Sequence, residues 1–251
     1  MKKLICMVLV LMFVSGLYAC GEKAPEIRPV YGPFSLVDGK LSLEGVSMGD
    51  DPEEAKNVVE GRNLGRMESH LSSEERAFEV FMDTEKESGG ISYNVLSYSA
   101  GLKDNVVNVI SAGFQHDDVD DSLLNDPEKL RKTIDDFFAP YKSAASEMEN
   151  VLITKLPTIE YFVDENGNRE DTVFSYGGNE IYTMVFVDGE SIKVSSRKEA
   201  ANMEGATILE INFYAQSLTA AAVDYYLNDD GQTYMGELSV FVTVMPAEML
   251  P

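Results

Sequence analysis

The sequence predicts an α+β fold dominated by antiparallel sheet. Helix starts are few, and two of them share one motif, Asp51-Pro52-Glu53 and Asp126-Pro127-Glu128. Most other segments are short β-rich runs, and turn dipeptides such as Asp38-Gly39 and Asp188-Gly189 favour two-residue hairpins between them. We therefore predict a helix-plus-antiparallel-meander unit, followed by a larger β-rich antiparallel unit with one or two helices. This order of elements is compatible with a tandem repeat.

Residues 1–19 have the composition of a secretory signal peptide. Met1-Lys2-Lys3 is positively charged, and an apolar run from Leu4 to Val14 follows it. That run is shorter than the roughly 20 residues that a membrane span requires. The segment ends in Leu17-Tyr18-Ala19-Cys20, which resembles the lipobox of bacterial lipoproteins, although Tyr18 replaces the small residue usual at that position.

The lipobox resemblance implies where the protein lies. Cys20 would become the first residue of the mature chain and carry diacylglycerol and acyl chains such as palmitate. The protein would then be anchored to a membrane and extracytoplasmic. It would lie on the outer membrane of a host with two membranes, and otherwise on the outer face of the cell membrane.

Charge and cysteine content exclude several functions. The formal net charge is −23, which repels nucleic acid and anionic lipid headgroups, so no nucleic-acid partner is predicted. Membrane attachment must then come from the acyl chains on Cys20. Cys6 leaves with the signal peptide, so the mature chain has no disulfide, no free thiol for catalysis and no cysteine-ligated metal. We predict no cofactor.

We divide the chain after the signal peptide into four segments. Residues 20–33 contain three prolines and two glycines and are predicted to form a lipidated tether. Residues 34–115 form an α+β meander subdomain. The acidic residues 116–126 form a linker, and residues 127–251 form a subdomain of one helix and an antiparallel β-sheet.

Five strands are predicted in the first subdomain. Phe34–Val37 and Lys40–Leu43 form a hairpin. Residues 77–83 fit a helix face as well as a strand, and we favour the strand because β-forming residues dominate. Ile91–Ser99 and Val106–Phe114 complete a three-stranded meander.

One helix is predicted in this subdomain. Asp51 caps its amino end and Pro52 occupies the first helical position. Gly61 ends it. The stripe predicted to be buried consists of Ala55, Val58 and Val59.

The second subdomain begins with a helix at Pro127 that Pro140 ends, and Ser143–Ile153 is a possible second helix. The buried face of the first helix is predicted to consist of Leu130, Ile134, Phe137 and Phe138. Seven strands are predicted after it: Ile159–Val163, Thr172–Tyr176, Ile181–Val187, Ser191–Ser195, Thr207–Tyr214, Val223–Leu227 and Tyr234–Met245. Further hairpin turns are predicted at Asn166-Gly167 and Asp230-Gly231.

Alternation within residues 207–214 predicts a sheet with one solvated face. Leu209, Ile211 and Phe213 point to one side, and Glu210 and Asn212 point to the other. We expect the polar side to be in water and available for contact with a partner.

A longer resemblance covers residues 41–115. The sequence LEGVSMGDDPEEA at residues 43–55, followed by VVEG at 58–61, resembles the opening of BamE/SmpA-type lipoproteins. Here Gly-Asp-Asp at 49–51 replaces the apolar or Ser/Thr residues usual there. A helix and a meander follow, as in the β-lactamase inhibitor protein fold. The resemblance implies a non-catalytic envelope lipoprotein that binds another protein.

Ser47 is a candidate nucleophile because Gly45-Val46-Ser47-Met48-Gly49 matches G-x-S-x-G. A nucleophile elbow needs a parallel sheet with a downstream acid and then a histidine. Only His70 and His116 are present in the chain, and no βαβ alternation surrounds them. A turn role for Ser47 is favoured, and no catalytic residue is assigned.

A run of aspartates gives weak candidates for a calcium site, which needs six to eight oxygen ligands. These residues are Asp117, Asp118, Asp120 and Asp121. The acidic segments 164–171 and 228–231 are better explained as hairpin turns. No metal site is therefore assigned.

These observations favour a lipid-anchored envelope lipoprotein that is not an enzyme and acts as a protein-binding or envelope-assembly factor. Two alternatives remain open at this point. One is a surface-anchored hydrolase that uses Ser47 or a carboxylate pair, and the other is a calcium- or small-ligand-binding module.

Overall fold

The computed structural model describes residues 24–71, 75–101, 105–116, 127–156, 173–177, 180–218 and 237–250. These residues form fourteen strands, three α-helices and one 3-10 helix. All the strand pairs among them are antiparallel, so the predicted α+β class with antiparallel sheet is confirmed. Of the helices described, none combines the length and the apolar character that crossing a membrane requires.

A four-stranded sheet opens the fold, in the order β1-β2-β3-β4. Its strands are β1 (Ile27–Tyr31), β2 (Phe34–Val37), β3 (Lys40–Leu43) and β4 (Val46–Ser47). The predicted hairpin is confirmed, and its turn residues Asp38 and Gly39 both have positive φ, 50° and 81°.

Strand β1 corrects the predicted tether, because the folded part of the chain begins before residue 34. β1 pairs with β2 over Ile27–Tyr31 and Tyr31 is 3 % exposed. The register shifts between Pro29 and Tyr31, and proline is tolerated in this strand because β1 lies at the edge of the sheet. Proline content alone therefore overstated the length of the tether.

Helix α1 (Pro52–Gly61) begins where predicted. The Asp51 side chain accepts hydrogen bonds from the backbone N–H groups of Glu53 (2.9 Å) and Glu54 (3.1 Å). Ala55 and Val59 are buried as expected, but Val58 is 40 % exposed, which contradicts its predicted place in the stripe. The buried residues of the helix are Pro52, Ala55 and Val59, and the helix contacts β4. Arg62, not Gly61, is the carboxyl-terminal cap.

A four-stranded meander follows α1. It consists of β5 (Gly65–Leu71), β6 (Glu75–Ser88), β7 (Ile91–Gly101) and β8 (Val107–His116). The three predicted strands are confirmed, and β5 is an addition. Gly65 lets β5 begin close to β6, because a Cβ at Gly65 would lie 2.0 Å from the Phe81 carbonyl oxygen.

Helix α2 (Pro127–Ser146) is longer than predicted, since it continues through Pro140. Buried side chains lie on both sides of the proline, Ile134 and Phe138 before it and Tyr141 and Ala145 after it. Pro140 itself is exposed, so packing of the opposite face maintains the helix across it. The possible second helix at 143–153 is wrong: residues 143–146 belong to α2, and β9 (Leu152–Lys155) follows.

The remaining elements are β-rich, as predicted. They are β10 (Val173–Gly177), β11 (Glu180–Val187), β12 (Glu190–Ile192), α3 (Arg197–Ala201), β13 (Thr207–Leu218), β14 (Glu237–Pro246) and a 3-10 helix (Ala247–Met249). The hairpin at Asp188-Gly189 is confirmed by the β11–β12 pairing. The predicted strands at 159–163 and 223–227 and the turns at 166–167 and 230–231 lie outside the described residues.

The ten-stranded large sheet joins the two parts of the chain that the linker 116–126 was predicted to separate. Its order is β12-β11-β13-β14-β8-β7-β6-β5, with β9 on β11 and β10 on β13. β8 pairs with β14 from Ile110 to His116. Residues 117–126 lie outside the described residues, and the tandem repeat stays a prediction.

One hydrophobic core covers the inner face of this sheet. Helix α2 contacts β13 and β14, and the small sheet packs into the same core. The Phe138 ring lies 5.2 Å from the Phe213 ring, and the Tyr141 ring lies 5.2 Å from the Phe114 ring. Because β8 and β13 both meet α2, the two predicted subdomains share a core.

Candidate functional site: the outer face of the large sheet

The outer face of the large sheet is the side opposite α2 and the small sheet. On β6, Phe78 and Val80 are buried in the core, and the residues between and beside them, Ala77, Glu79 and Phe81, point to the outer face and are half-buried. Side chains alternate in the same way along each strand. Strand register therefore decides which outward residues become neighbours.

A polar row crosses seven strands of the outer face. Successive members lie directly opposite one another in the strand pairings: Glu68, Glu79, Ser97, Ser111, Thr243, Glu210 and Thr183. The hydroxyls of Ser111 and Thr243 are 3.2 Å apart, and the Thr183 hydroxyl donates to Glu210 Oε1 at 3.1 Å. The row gives the outer face an ordered line of hydrogen-bonding groups.

An apolar row runs beside the polar row. Its members, again directly opposite one another, are Phe81, Val95, Gly113 and Phe241. Phe241 is 37 % exposed and lies against Gly113, where a Cβ would be 3.6 Å from the Phe241 ring. At the other end the Arg66 guanidinium lies over the Phe81 ring, 5.0 Å from its centre. The Phe241 ring thus remains accessible to solvent, whereas the Phe81 ring is half-buried.

Helix α3 closes one end of the outer face. The Ser196 hydroxyl accepts from the Glu199 backbone N–H at 3.1 Å and so begins the helix. Arg197 then donates to both carboxylate oxygens of Glu210, at 3.0 and 3.1 Å. Glu210 is only 4 % exposed, so the prediction that it lies in water is wrong. The cause is α3, which the alternation of β13 could not reveal.

A second hydrophobic cluster explains why α3 lies there. It packs α3 and the 3-10 helix against β11 and β13 through Val185, Val194, Ala200, Ala206, Ile208, Ala247 and Leu250. Asn212, the other residue predicted to be solvated, is half-buried. The outer face is therefore covered near β11 and β13 and partly open from β14 to β5.

The open end carries a cluster of three possible metal ligands, Glu68 and His70 on β5 and Glu79 on β6. One ligand atom of each lies within 4.8 Å of the other two. His70 Nε2 is 3.4 Å from Glu79 Oε2 and 3.9 Å from Glu68 Oε2. Arg66 Nη1 is 2.6 Å from the other oxygen of Glu68, Oε1.

Sequence reasoning missed this cluster because β5 was not predicted. The pattern Glu68-Ser69-His70 was a usable signal, since residues two apart in a strand lie on one face. Glu79 joins them only through the β5–β6 register, in which it lies opposite Glu68.

Three tyrosines join the small sheet to its surroundings by donating hydrogen bonds. The Tyr98 hydroxyl donates to the Leu43 carbonyl at 3.2 Å, and the Tyr31 hydroxyl donates to the Tyr141 carbonyl at 3.3 Å. Burial is the main cause that raises the pKa of both phenols. Burial, with the hydrogen bond to Glu44, also raises the pKa of Tyr93. These hydroxyls stay protonated and fix the small sheet on the core.

The structure places Ser47 in β4, at the edge of the small antiparallel sheet. Its backbone N–H donates to Asp50 Oδ2 at 2.7 Å, which is the local hydrogen bond of a turn. His70 lies in β5 and His116 in β8. Cys20 and the aspartates Asp117, Asp118, Asp120 and Asp121 lie outside the described residues.

Comparison with known proteins does not assign this chain to a family. No protein-family model, curated protein or solved structure matches it. The resemblances to lipoproteins therefore stay predictions from the sequence.

Proposed function

We propose that this chain is a lipid-anchored, extracytoplasmic lipoprotein of the cell envelope that has no catalytic activity and binds another protein. The observation that carries the proposal is the apolar row, in which Phe241 is 37 % exposed and Phe81 is half-buried beneath Arg66. Exposed aromatic side chains of this kind are typical anchors of protein interfaces.

The polar row supports binding at the same surface. Hydroxyls of Ser97, Ser111 and Thr243 lie one strand apart beside the aromatic anchors and can donate or accept hydrogen bonds. An interface of this composition has an apolar centre with polar groups at its side, as specific interfaces do. The net charge of −23 favours a partner with a basic or mixed-charge surface.

The short distance between Cys20 and β1 supports a partner in the envelope. Strand β1 begins at Ile27, seven residues after Cys20. Seven extended residues span at most about 25 Å. A lipid on Cys20 would therefore hold the small sheet, to which β1 belongs, close to the membrane surface, where other envelope proteins lie.

Site-specific photocrosslinking in intact cells tests the proposed interface. We expect a crosslinker at Ser97, on the outer face, to give one recurrent protein adduct. Phe241→Ala should reduce that adduct because it removes the exposed ring while Gly113 and Val95 remain. Added salt should lower the adduct yield, since screening weakens charge steering.

The control position is Asp136, which is exposed on α2 and away from the outer face. A crosslinker there should not give the same adduct. Equal adducts from Ser97 and Asp136, or an adduct unchanged by Phe241→Ala, would show that this face is not the interface.

The anchor is tested by Cys20→Ser. We expect the wild-type chain to incorporate labelled fatty acid and to sediment with membranes. The variant should keep residues 1–19 and incorporate no lipid. A free Cys20 thiol detected in the wild-type protein by mass spectrometry contradicts the anchor.

A further inference from the structure

Glu68 and Glu79 bring two like charges together on the outer face, and Arg66 offsets the charge of Glu68. They lie directly opposite each other in the β5–β6 register, where side chains on one face come within contact distance. Like charges in this arrangement destabilise a strand pair. The side chains of Glu68 and Glu79 are 37 % and 41 % exposed, so solvent screens them only in part.

The distances from His70 to the two carboxylates fit metal coordination better than hydrogen bonding. Hydrogen bonds from nitrogen to oxygen are about 2.7–3.2 Å long. His70 Nε2 lies farther from the two carboxylates, at 3.4 and 3.9 Å. Ligands at 2.0–2.1 Å from a tetrahedral metal ion are about 3.3 Å apart, and small rotations of these surface side chains reach that value.

Arg66 orients one of the carboxylates. Its guanidinium binds Glu68 Oε1 at 2.6 Å and lies over the Phe81 ring. Oε2 of Glu68 is the oxygen that faces His70. A ligating carboxylate that is held by a second hydrogen bond in this way is common around protein-bound metals.

We propose that Glu68, His70 and Glu79 bind a divalent transition-metal ion of the zinc class, with the remaining coordination position open to solvent. One imidazole with two carboxylates suits Zn²⁺ and its neighbours, whereas Ca²⁺ and Mg²⁺ need sets made of oxygen alone. The site joins β5 to β6 at the open end of the outer face. It lies at the end of the polar row, next to Ser97 of the proposed protein interface.

Titration calorimetry of the full-length chain in detergent, with ZnCl₂, tests the site. We expect one Zn²⁺ to bind per chain, and His70→Asn or Glu79→Gln to weaken its binding at least tenfold. Co²⁺ should give the visible absorption of a tetrahedral complex, and both variants should abolish that absorption. A hundredfold excess of Ca²⁺ should leave Zn²⁺ binding unchanged.

Glu87→Gln is the matched control, because Glu87 is exposed on the same strand and the change in charge is the same. It should leave Zn²⁺ affinity unchanged. The proposal is overturned if Glu87→Gln weakens binding as much as Glu79→Gln, if His70→Asn has no effect, or if Zn²⁺ binds only at millimolar concentration. Each variant should keep the circular dichroism spectrum and the melting temperature of the metal-free wild-type chain, so that lost affinity reports the ligands and not a loss of fold.

Discussion

Glu210 is a carboxylate whose surroundings differ completely from those of an ordinary outward strand residue. Arg197 binds both of its oxygens and Thr183 donates to one of them, and the residue is 4 % exposed. Removing the guanidinium would leave a buried charge with only one hydroxyl donor. Breaking a buried pair in this way is costly even where the intact pair contributes little.

We therefore predict that Arg197→Met lowers the free energy of unfolding by about 3 kcal/mol. Urea unfolding monitored by circular dichroism measures the change. Lys132→Met is the control, because the Lys132–Asp136 pair is exposed on α2 and such pairs contribute about 0.5 kcal/mol or less. Equal effects of the two substitutions would show that Glu210 does not depend on Arg197.

Tyr98 makes the free energy of unfolding depend on pH in the alkaline range. Burial, followed by the charge of Glu44, raises the pKa of its phenol above the unfolded value near 10. The folded chain keeps this proton at a pH where the unfolded chain has lost it. The contribution of the neutral Tyr98 phenol to stability is therefore complete below pH 10 and is lost progressively as the pH rises above 10.

We predict that the free energy of unfolding falls above pH 10 by about 1.4 kcal/mol per pH unit for each such tyrosine. Tyr98→Phe should make this fall shallower, because one titrating group is removed. At pH 8 the variant should lose about 1 kcal/mol with the hydrogen bond to Leu43. Urea unfolding at pH 8 and pH 11 measures both effects, and identical slopes in the two proteins would contradict the assignment.

At the scale of elements, two hairpin turns meet where the small and large sheets come together. Gly39 lies in the β2–β3 turn and Gly189 in the β11–β12 turn. A Cβ at Gly189 would lie 2.7 Å from the Gly39 Cα, and φ of Gly189 is +77°. Arg28 of β1 donates to the Gly189 carbonyl at the same contact. Backbone packed on backbone leaves no room for a side chain.

Gly189→Ala should lower the free energy of unfolding by about 3 kcal/mol, because it combines backbone strain with a clash that cannot relax cheaply. Gly205→Ala separates the two causes, since Gly205 has a similar φ of +72° and open space around it. We expect it to cost about 1 kcal/mol. Thermal and urea unfolding of both variants measure the difference, and equal losses would show that the turns do not press on each other.

Elements governed by local chemistry could be predicted from the sequence. Asp51 as a cap and the Asp-Gly turns of both hairpins depend on neighbours within four residues. Strand β5 was missed because Gly-Arg-Met-Glu-Ser-His-Leu has weak β character and is a strand through its pairing with β6. The passage of α2 through Pro140 was missed for a similar reason, since packing on the sheet overrides the proline.

The candidate site was less predictable than the fold. The polar and apolar rows depend on the register of seven strands, including the pairing of β8 with β14 across the predicted linker. Solvation of Glu210 was predicted from alternation in β13 alone, and α3 reverses it. The proposed ligands Glu68 and His70 are two residues apart in the sequence, but Glu79 comes close to them only through the pairing of β5 with β6.

At the scale of the whole molecule, the shared sheet predicts that the first half does not fold alone. A fragment of residues 20–116 lacks β14, the partner of β8, and lacks α2, whose Tyr141 packs on Phe114. We expect this fragment to unfold without a cooperative transition, whereas the full chain unfolds in one. Thermal melts followed by circular dichroism and amide NMR spectra measure this.

A fragment with a sharp melt and dispersed amide signals would instead establish residues 34–115 as an independent domain. The matched control is the chain from residue 20 to 251, which keeps the same amino end and restores both missing elements. In Gly189→Ala this chain should still unfold in one transition, at a lower melting temperature, because the contact between the sheets belongs to the same cooperative structure.

The position of β14 has a consequence for biosynthesis. Ser111 on β8 and Thr243 on β14 are bonded across 132 residues, and β14 is the last strand among the described residues. A ribosome releases the amino end first, so one edge of β8 stays unpaired until β14 (Glu237–Pro246) has been synthesised. An unpaired strand edge recruits other chains. Products truncated before residue 237 should therefore aggregate or be degraded, and a chaperone that shields β8 would raise the yield of the full-length protein.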